Sequence, residues 1–208
     1  MGSETSAQPQ IHPNLNDMID EPLLKEIEQL AGGLRAKTFR AAAEWIMANE
    51  CKYLAETGCY RGIPQDGQST IILAKLARHI GAKFSSFELN PNHIEQAVTH
   101  LAKFGLARDK DVWLVPGDSV ETVRCLDHID FVYLDSYDYE EGNWLPSQLH
   151  QLAEVGAVYC LLRRPCAILM DDCFPPHGGK TALSKLFLLG RGWKLVAEGY
   201  QLLFVKET

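Results

Sequence analysis

Five stretches of the chain carry side chains that can do chemistry together: Glu56-Thr57-Gly58-Cys59-Tyr60-Arg61-Gly62, Phe87-Glu88-Leu89-Asn90-Pro91, Gly117-Asp118-Ser119, Leu134-Asp135 and Met170-Asp171-Asp172. The carboxylates Asp135, Asp171 and Asp172 are the most pointed. Each follows an apolar run, and adjacent carboxylates at the end of such a run cost free energy unless something pairs with them. A divalent cation would do so. Three hard oxygen donors, with room for water and substrate oxygens, suit Mg²⁺, Ca²⁺ or Mn²⁺. The alternative is a set of capping and turn residues around Pro175-Pro176.

The other stretches suit a nucleoside. Gly58 and Gly62 allow a tight turn and a close backbone approach to a ligand, although ordinary turns give similar strings. Glu88, about one strand–helix unit further on, is placed to accept hydrogen bonds from a ribose diol; its alternative is a solvated residue beside an Asn90 cap. Asp118 can accept from an exocyclic amine and Ser119 can bond a ring nitrogen, unless they simply start a helix. His177, beside Gly178-Gly179-Lys180, is a base, a metal ligand or a surface histidine. A GxSxG elbow, a GxxxxGK[ST] loop and a GxGxxG turn are all absent from the sequence.

The elements that must position these residues follow from periodicity. Apolar helical spacing begins at Pro22 and stops at Gly32-Gly33, and a second helix carries Phe39, Ala42, Ala43, Ile46 and Met47. Strands and helices then alternate. Strands are expected at 53–56, 83–89, 111–115, 129–134 and 167–170, with helices at 70–79, 91–104, 121–126, 145–154 and 180–189. A hairpin of 194–197 and 201–206 closes the chain. Such alternation implies a Rossmann-like, doubly wound, mainly parallel sheet of seven strands in an α/β fold, with a C-terminal antiparallel hairpin and N-terminal covering helices. Ligands bind beyond the carboxyl ends of strands in sheets of this kind, which is where the five stretches fall. Residues 1–21 read as a flexible tail and 22–208 as a single domain. Residues 156–165 read as an extra segment of unassigned role, an interface or a lid.

Composition narrows the classes. The chain has 208 residues, 46% hydrophobic and 23% charged, which is ordinary globular composition. Twenty basic against 27 acidic residues give a net charge of −7, a poor start for binding a phosphate backbone. No apolar run reaches the length of a membrane helix, and the polar start shows no secretory leader. The six cysteines form no CxxC pair, which fits reduced thiols in the cytoplasm. A small-molecule ligand is expected, with neither nucleic acid nor membrane as partner.

From about Lys25 onward the five stretches resemble the class I methyltransferases that use S-adenosylmethionine. Within that class the chain is similar to the small metal-dependent O-methyltransferases of the catechol and caffeoyl-CoA type, and its Asp171-Asp172 pair to the macrocin O-methyltransferase type. The resemblance implies S-adenosylmethionine held by Glu56, Gly58, Gly62, Ser69, Glu88, Asp118, Ser119 and Asp135. It implies Mg²⁺ held by Asp135, Asp171 and Asp172, which would bind the acceptor hydroxyls, lower their pKa and align one oxygen with the sulfonium methyl. Asp138 stands where the catechol type carries its lysine base, and is the candidate base alongside Asp135. Residues 63–67 lengthen the glycine loop beyond the family's short turn. A small hydroxylated acceptor is implied, and a homodimer is compatible with the family. Two other readings remain: an oxidoreductase or hydroxylase on a similar sheet, and a non-catalytic module that keeps the cofactor pocket.

Overall fold

A computed structural model describes residues 20–63 and 68–207. The tail expected at 1–21 lies outside the described residues except for Asp20, which caps the first helix, and Glu21, which begins it. Residues 64–67 of the lengthened glycine loop also lie outside them.

Seven strands form one sheet. They are β1 (Tyr53–Thr57), β2 (Lys83–Glu88), β3 (Trp113–Pro116), β4 (Ile129–Leu134), β5 (Leu162–Met170), β6 (Lys194–Glu198) and β7 (Leu202–Lys206), in the order β3-β2-β1-β4-β5-β7-β6. The first five pair in parallel, and β7 runs antiparallel to β5 and β6. Chain direction across the sheet reverses between β1 and β4, so the crevice beyond their carboxyl ends is the topological switch point.

Helices cover both faces. On one side lie α1 (Glu21–Ala31), α2 (Ala36–Ala48), α3 (Ser69–Ile80) and α4 (Pro91–Lys103); on the other lie α5 (Ser119–Thr122), α6 (Leu145–Tyr159) and α7 (Ala182–Gly190). Strand β4 shows why a central strand has no polar face. Phe131 and Tyr133 pack with the first group of helices, Val132 and Leu134 with the second, and all four are fully buried.

Local chemistry sets the helix ends. Asp20 caps α1 by accepting the Leu23 N–H at 3.1 Å, and Asn90 caps α4 by accepting the Asn92 N–H at 3.0 Å, each followed by a first-turn proline. By contrast α2 follows Arg35 without a side-chain cap, since a guanidinium has no acceptor to offer the first N–H groups.

Four expected boundaries move. Strand β3 begins at Trp113 instead of 111, because the Asp111 carboxylate is drawn into a turn, accepting from the Ala107 N–H at 2.8 Å and from Arg78. The helix expected at 121–126 is four residues of α5 followed by a 3-10 turn. The helix expected from Lys180 begins at Ala182, and 176–181 form a kinked 3-10 stretch. The extra segment at 156–165 is neither a lid nor a separate unit. Helix α6 continues through Tyr159, and β5 begins at Leu162, with Arg163-Arg164-Pro165 absorbed in a bulge where Ile129 faces Leu162 and Phe131 faces Ala167. That bulge sits at the amino end of β5, opposite the end where ligands bind. Among the described residues no helix is long and apolar enough to cross a membrane.

Candidate active site

The carboxyl ends of β1, β4 and β5 meet. The Asp135 N–H donates to Thr57 O at 3.0 Å and the Asp171 N–H to Leu134 O at 3.2 Å, so the backbone ladder itself brings the three strand-end segments together. Gly58 is required at this junction. It has φ +76°, and a Cβ there would lie 2.4 Å from the Asp135 carbonyl oxygen.

The sheet assembles Asp135, Asp171 and Asp172 as expected, with one oxygen of each within 4.8 Å of the others. The space among them is not left to solvent. The Lys180 ammonium donates to Asp135 Oδ1 at 2.5 Å and lies 2.9 Å from Asp172 Oδ2. The Arg35 guanidinium donates to Asp171 from Nη2 at 2.6 Å and from Nε to both oxygens at 3.1 Å, and its Nη2 lies 3.8 Å from Asp172 Oδ1. Tyr200 donates its hydroxyl to Asp172 Oδ1, and its ring lies under the Arg35 guanidinium at 4.6 Å. The Tyr133 hydroxyl donates to Asp135 Oδ2 at 3.2 Å and accepts from Gln201 at 3.1 Å; Thr38 donates to Gln201 at 2.5 Å.

Burial and charge compete here. Burial works against the charge on Lys180, yet Asp135, Asp172 and Asp171 outweigh it and hold the ammonium above its ordinary pKa. The same balance, set by the hydrogen bonds and charge of Asp171, keeps Arg35 protonated. Burial lifts the Asp135 carboxyl well above the usual range, with Lys180 pulling it back and the other two aspartates adding to the rise. Asp171 is raised by burial despite Arg35. For Asp172 burial is overcome by Lys180, Tyr200 and Arg35, and its carboxyl is lowered.

A loop built around glycine delivers Lys180. Gly179 has φ +57° and ψ −149°, a backbone region open in practice to glycine alone, and a Cβ there would fall 1.7 Å from Asp172 O. The turn lets the Lys180 N–H donate to that oxygen at 3.0 Å. Buried Gln148 fixes the loop from α6 by donating to His177 O at 3.0 Å and Gly179 O at 2.8 Å. His177 itself is stacked on Trp144, with ring centres 4.7 Å apart, and faces neither carboxylates nor cleft.

Beside this cluster lies a narrow cleft lined by Gly58, Phe87, Glu88, Leu89, Asp118, Ser119, Ser136, Tyr137 and His150. Glu88 accepts from the Cys59 N–H at 3.2 Å on Oε2 and from the Asn90 N–H at 2.7 Å on Oε1, with His93 Nδ1 a further 3.3 Å from Oε1, which ties the glycine turn to β2 and to the first turn of α4. Asp118 is the cap of α5, accepting the Val120 N–H at 2.9 Å, and also lines the cleft. Glu154, buried on α6, accepts from Ser119 at 2.5 Å and Ser136 at 2.7 Å; its hydrogen bond and then its charge raise the pKa of His150, one helical turn away, against burial.

Glu56 is fully buried behind the turn. Its Oε2 accepts from Thr70 and Ser86, each at 2.7 Å, Ser69 is a third hydroxyl acting on the carboxylate, and its Oε1 has no partner among the described residues. Burial pushes its carboxyl up to about 7. Two expected site residues lie apart. Gly62 backs onto the His100 ring, and Asp138 is exposed and paired with Arg61 at 3.0 Å, outside the three-carboxylate group. A cavity of about 450 Å³ opens at the amino ends of β2 and β3 near Arg78 and Trp113, away from these residues.

No family model matches the chain, and no curated protein matches it. Solved structures do. A putative caffeoyl-CoA O-methyltransferase from Staphylococcus aureus is 12% identical, with 93% of this chain and 95% of that one covered and a TM-score of 0.63. An SAH-bound methyltransferase from Podospora anserina is 15% identical over 99% of this chain and 100% of that one, with a TM-score of 0.62. The cofactor-bound Rv0187 from MTB is 20% identical over 91% and 92%, also at 0.62. The chain therefore has the Rossmann-like fold of the small methyltransferases, with their parallel core and antiparallel C-terminal hairpin.

Proposed function

We propose that the chain is an S-adenosylmethionine-dependent methyltransferase that transfers methyl to an oxygen of a small hydroxylated acceptor. The observation that carries this reading is the convergence of Gly58, Glu88, Asp118 and Ser119 on one cleft at the switch point, directly beside Asp135. Structural neighbours that are O-methyltransferases or hold SAH support it.

When bound, S-adenosylmethionine supplies an electrophilic methyl group on a sulfonium centre. The residues present fit it. Glu88 lines the cleft and presents its carboxylate, whose Oε2 carries the Cys59 N–H, to the ribose diol. Asp118 and Ser119 edge the adenine end of the cleft, with Glu154 and His150 fixing Ser119 and Ser136 from below. Glu56 Oε1 is a buried acceptor without a donor among the described residues, next to the turn where the methionine end would lie. Such an atom costs free energy until a donor reaches it.

The residues do not fit Mg²⁺ as they stand. A cation bound to Asp135 and Asp172 at Mg²⁺ distances of about 2.1 Å would share their oxygens with the Lys180 ammonium. Three carboxylates already face two cations, buried Lys180 and largely covered Arg35, so a divalent ion would leave excess positive charge in a desolvated site. No step is therefore assigned to a metal.

Proton removal is assigned to an exposed carboxylate on the loop after β4, next in sequence to the cleft-lining Tyr137. Asp135 has Oδ1 on Lys180 and Oδ2 on Tyr133, whereas Asp138 has one oxygen on Arg61 and stands open to solvent. Asp138 is the proposed base, and Asp135 helps to set the charge beside the acceptor oxygen. Calorimetric titration with S-adenosylmethionine, followed by transfer of labelled methyl to a panel of phenols, catechols and sugars, tests the proposal. Micromolar binding that weakens at least about tenfold in Glu88→Ala is expected. No binding under any condition overturns the proposal, and binding without transfer to any acceptor makes the chain a cofactor-binding module instead.

A further inference from the structure

The carboxylate group and the cations around it come from four separate parts of the chain, and the fold is built to keep the cations there. Gly179 adopts a backbone that only glycine tolerates, Gln148 donates to two carbonyls of the same loop, and the result is an ammonium whose side chain is 3% exposed lying between Asp135 and Asp172. From the opposite side Arg35, at the start of α2, takes Asp171 in a forked contact, with Tyr200 stacked against it. The hydroxyls of Tyr200 and Tyr133 occupy further lone pairs of Asp172 and Asp135. A cation needing several of those oxygens at once finds them already engaged.

We infer that the Lys180 ammonium holds the position among Asp135, Asp171 and Asp172 that a divalent cation would take, so that the resident positive charge of this centre is a lysine and the centre works without metal. As a statement about methyl transfer this rests on the proposed function; as a statement about what occupies the carboxylates it does not. Lys180 would then be a positioning residue. It fixes Asp135 and Asp172 and supplies, from inside the protein, the positive field that favours a deprotonated acceptor oxygen. Arg35 holds Asp171 in the same frame.

Mn²⁺ alone is the probe, because its free form is read directly by electron paramagnetic resonance. The full chain, stripped with EDTA, is titrated as wild type, Lys180→Ala and Lys180→Arg. Wild type and Lys180→Arg are expected to leave the Mn²⁺ signal free up to about millimolar ion, while Lys180→Ala opens the three-carboxylate set and binds at least about tenfold more tightly. Should Lys180→Ala fail to fold, Lys180→Gln fills the same space without the charge and is read in the same way. Stoichiometric Mn²⁺ binding by wild type that is lost in Asp171→Asn/Asp172→Asn overturns the inference. So does a folded, neutral Lys180 variant that gains no binding, since its carboxylates were then never a cation site. Calorimetry with S-adenosylmethionine on the same samples separates the two readings. If that binding is absent while the Mn²⁺ pattern holds, the proposed function fails and the lysine-filled site stands.

Discussion

Replacing Glu56 with glutamine separates a buried charge from a buried shape. The side chain is 0% exposed, three hydroxyls converge on it, and one oxygen has no partner among the described residues. Burial is the largest influence on its carboxyl. The hydroxyls of Ser69, Ser86 and Thr70 pull the other way, the charge of Glu88 adds to the rise, and the net result moves it from 4.5 to about 7. In the unfolded chain the group titrates near 4.5, so the folded state holds its proton over a window in which the unfolded state has lost it. Below that window both states are protonated and the group's contribution is complete. Through the window each pH unit removes about 1.4 kcal/mol, and above about pH 7 the loss levels off near 3 kcal/mol. Glutamine has no such titration. The assay is urea denaturation of wild type and Glu56→Gln at several pH values between about 4 and 8, compared as a difference of differences. The pH-independent cost of an amide at this position then cancels. The stability of wild type relative to the variant should fall by about 3 kcal/mol from the acid to the alkaline end of that range. A difference that stays constant within about 0.5 kcal/mol would show that Glu56 is solvated or paired in the folded chain and would refute the reasoning.

Gly179→Ala forces a Cβ to within 1.7 Å of Asp172 O, so the loop that carries Lys180 must open; a loss of at least about 2 kcal/mol in urea denaturation is expected, and an unchanged midpoint would disprove the tight turn. Asp171→Ala strands the Arg35 guanidinium and should cost about 3–5 kcal/mol, with part of it recovered in Asp171→Ala/Arg35→Met; a double-mutant cycle showing no coupling would remove the pair from the frame. Asp138→Asn should lower kcat by about a hundredfold while leaving calorimetric S-adenosylmethionine binding intact, and a drop under about threefold would pass the proton to another group.

Most of the fold was legible because its signals are local. Asn90-Pro91 marks the start of α4 and Gly32 the end of α1, and the unbroken run Phe131-Val132-Tyr133-Leu134 could only be a strand covered on both sides. The misread parts turn on contacts made at a distance or on residues that override a propensity. The helix expected to end at 154 runs on through Gly156 to Tyr159, and the segment 156–165, read as an extra piece of unassigned role, supplies that helix end and the bulge of a strand. Asp111 reads as the first residue of β3 until Arg78, far back on α3, claims its carboxylate.

The site divides in the same way, and the division explains why the carboxylates pointed to a metal. Sequence pattern correctly put Asp135, Asp171 and Asp172 at neighbouring strand ends, and the physical inference from that pattern was that something positive must pair with them. Pattern has no means of saying what. Arg35 lies 136 residues from Asp171 and reads only as the residue before a helix. Lys180 reads as the first residue of the next helix, and its true position depends on a backbone conformation at Gly179 that no periodicity encodes. Gly178-Gly179 was visible, but beside His177 it drew notice to the histidine instead of to the lysine that the glycines deliver. Two cations brought in from distant segments meet the same electrostatic demand that a bound ion would meet. A cluster of acidic residues at strand ends therefore specifies a counter-charge, and only the path of the surrounding loops decides whether the protein or the solvent provides it.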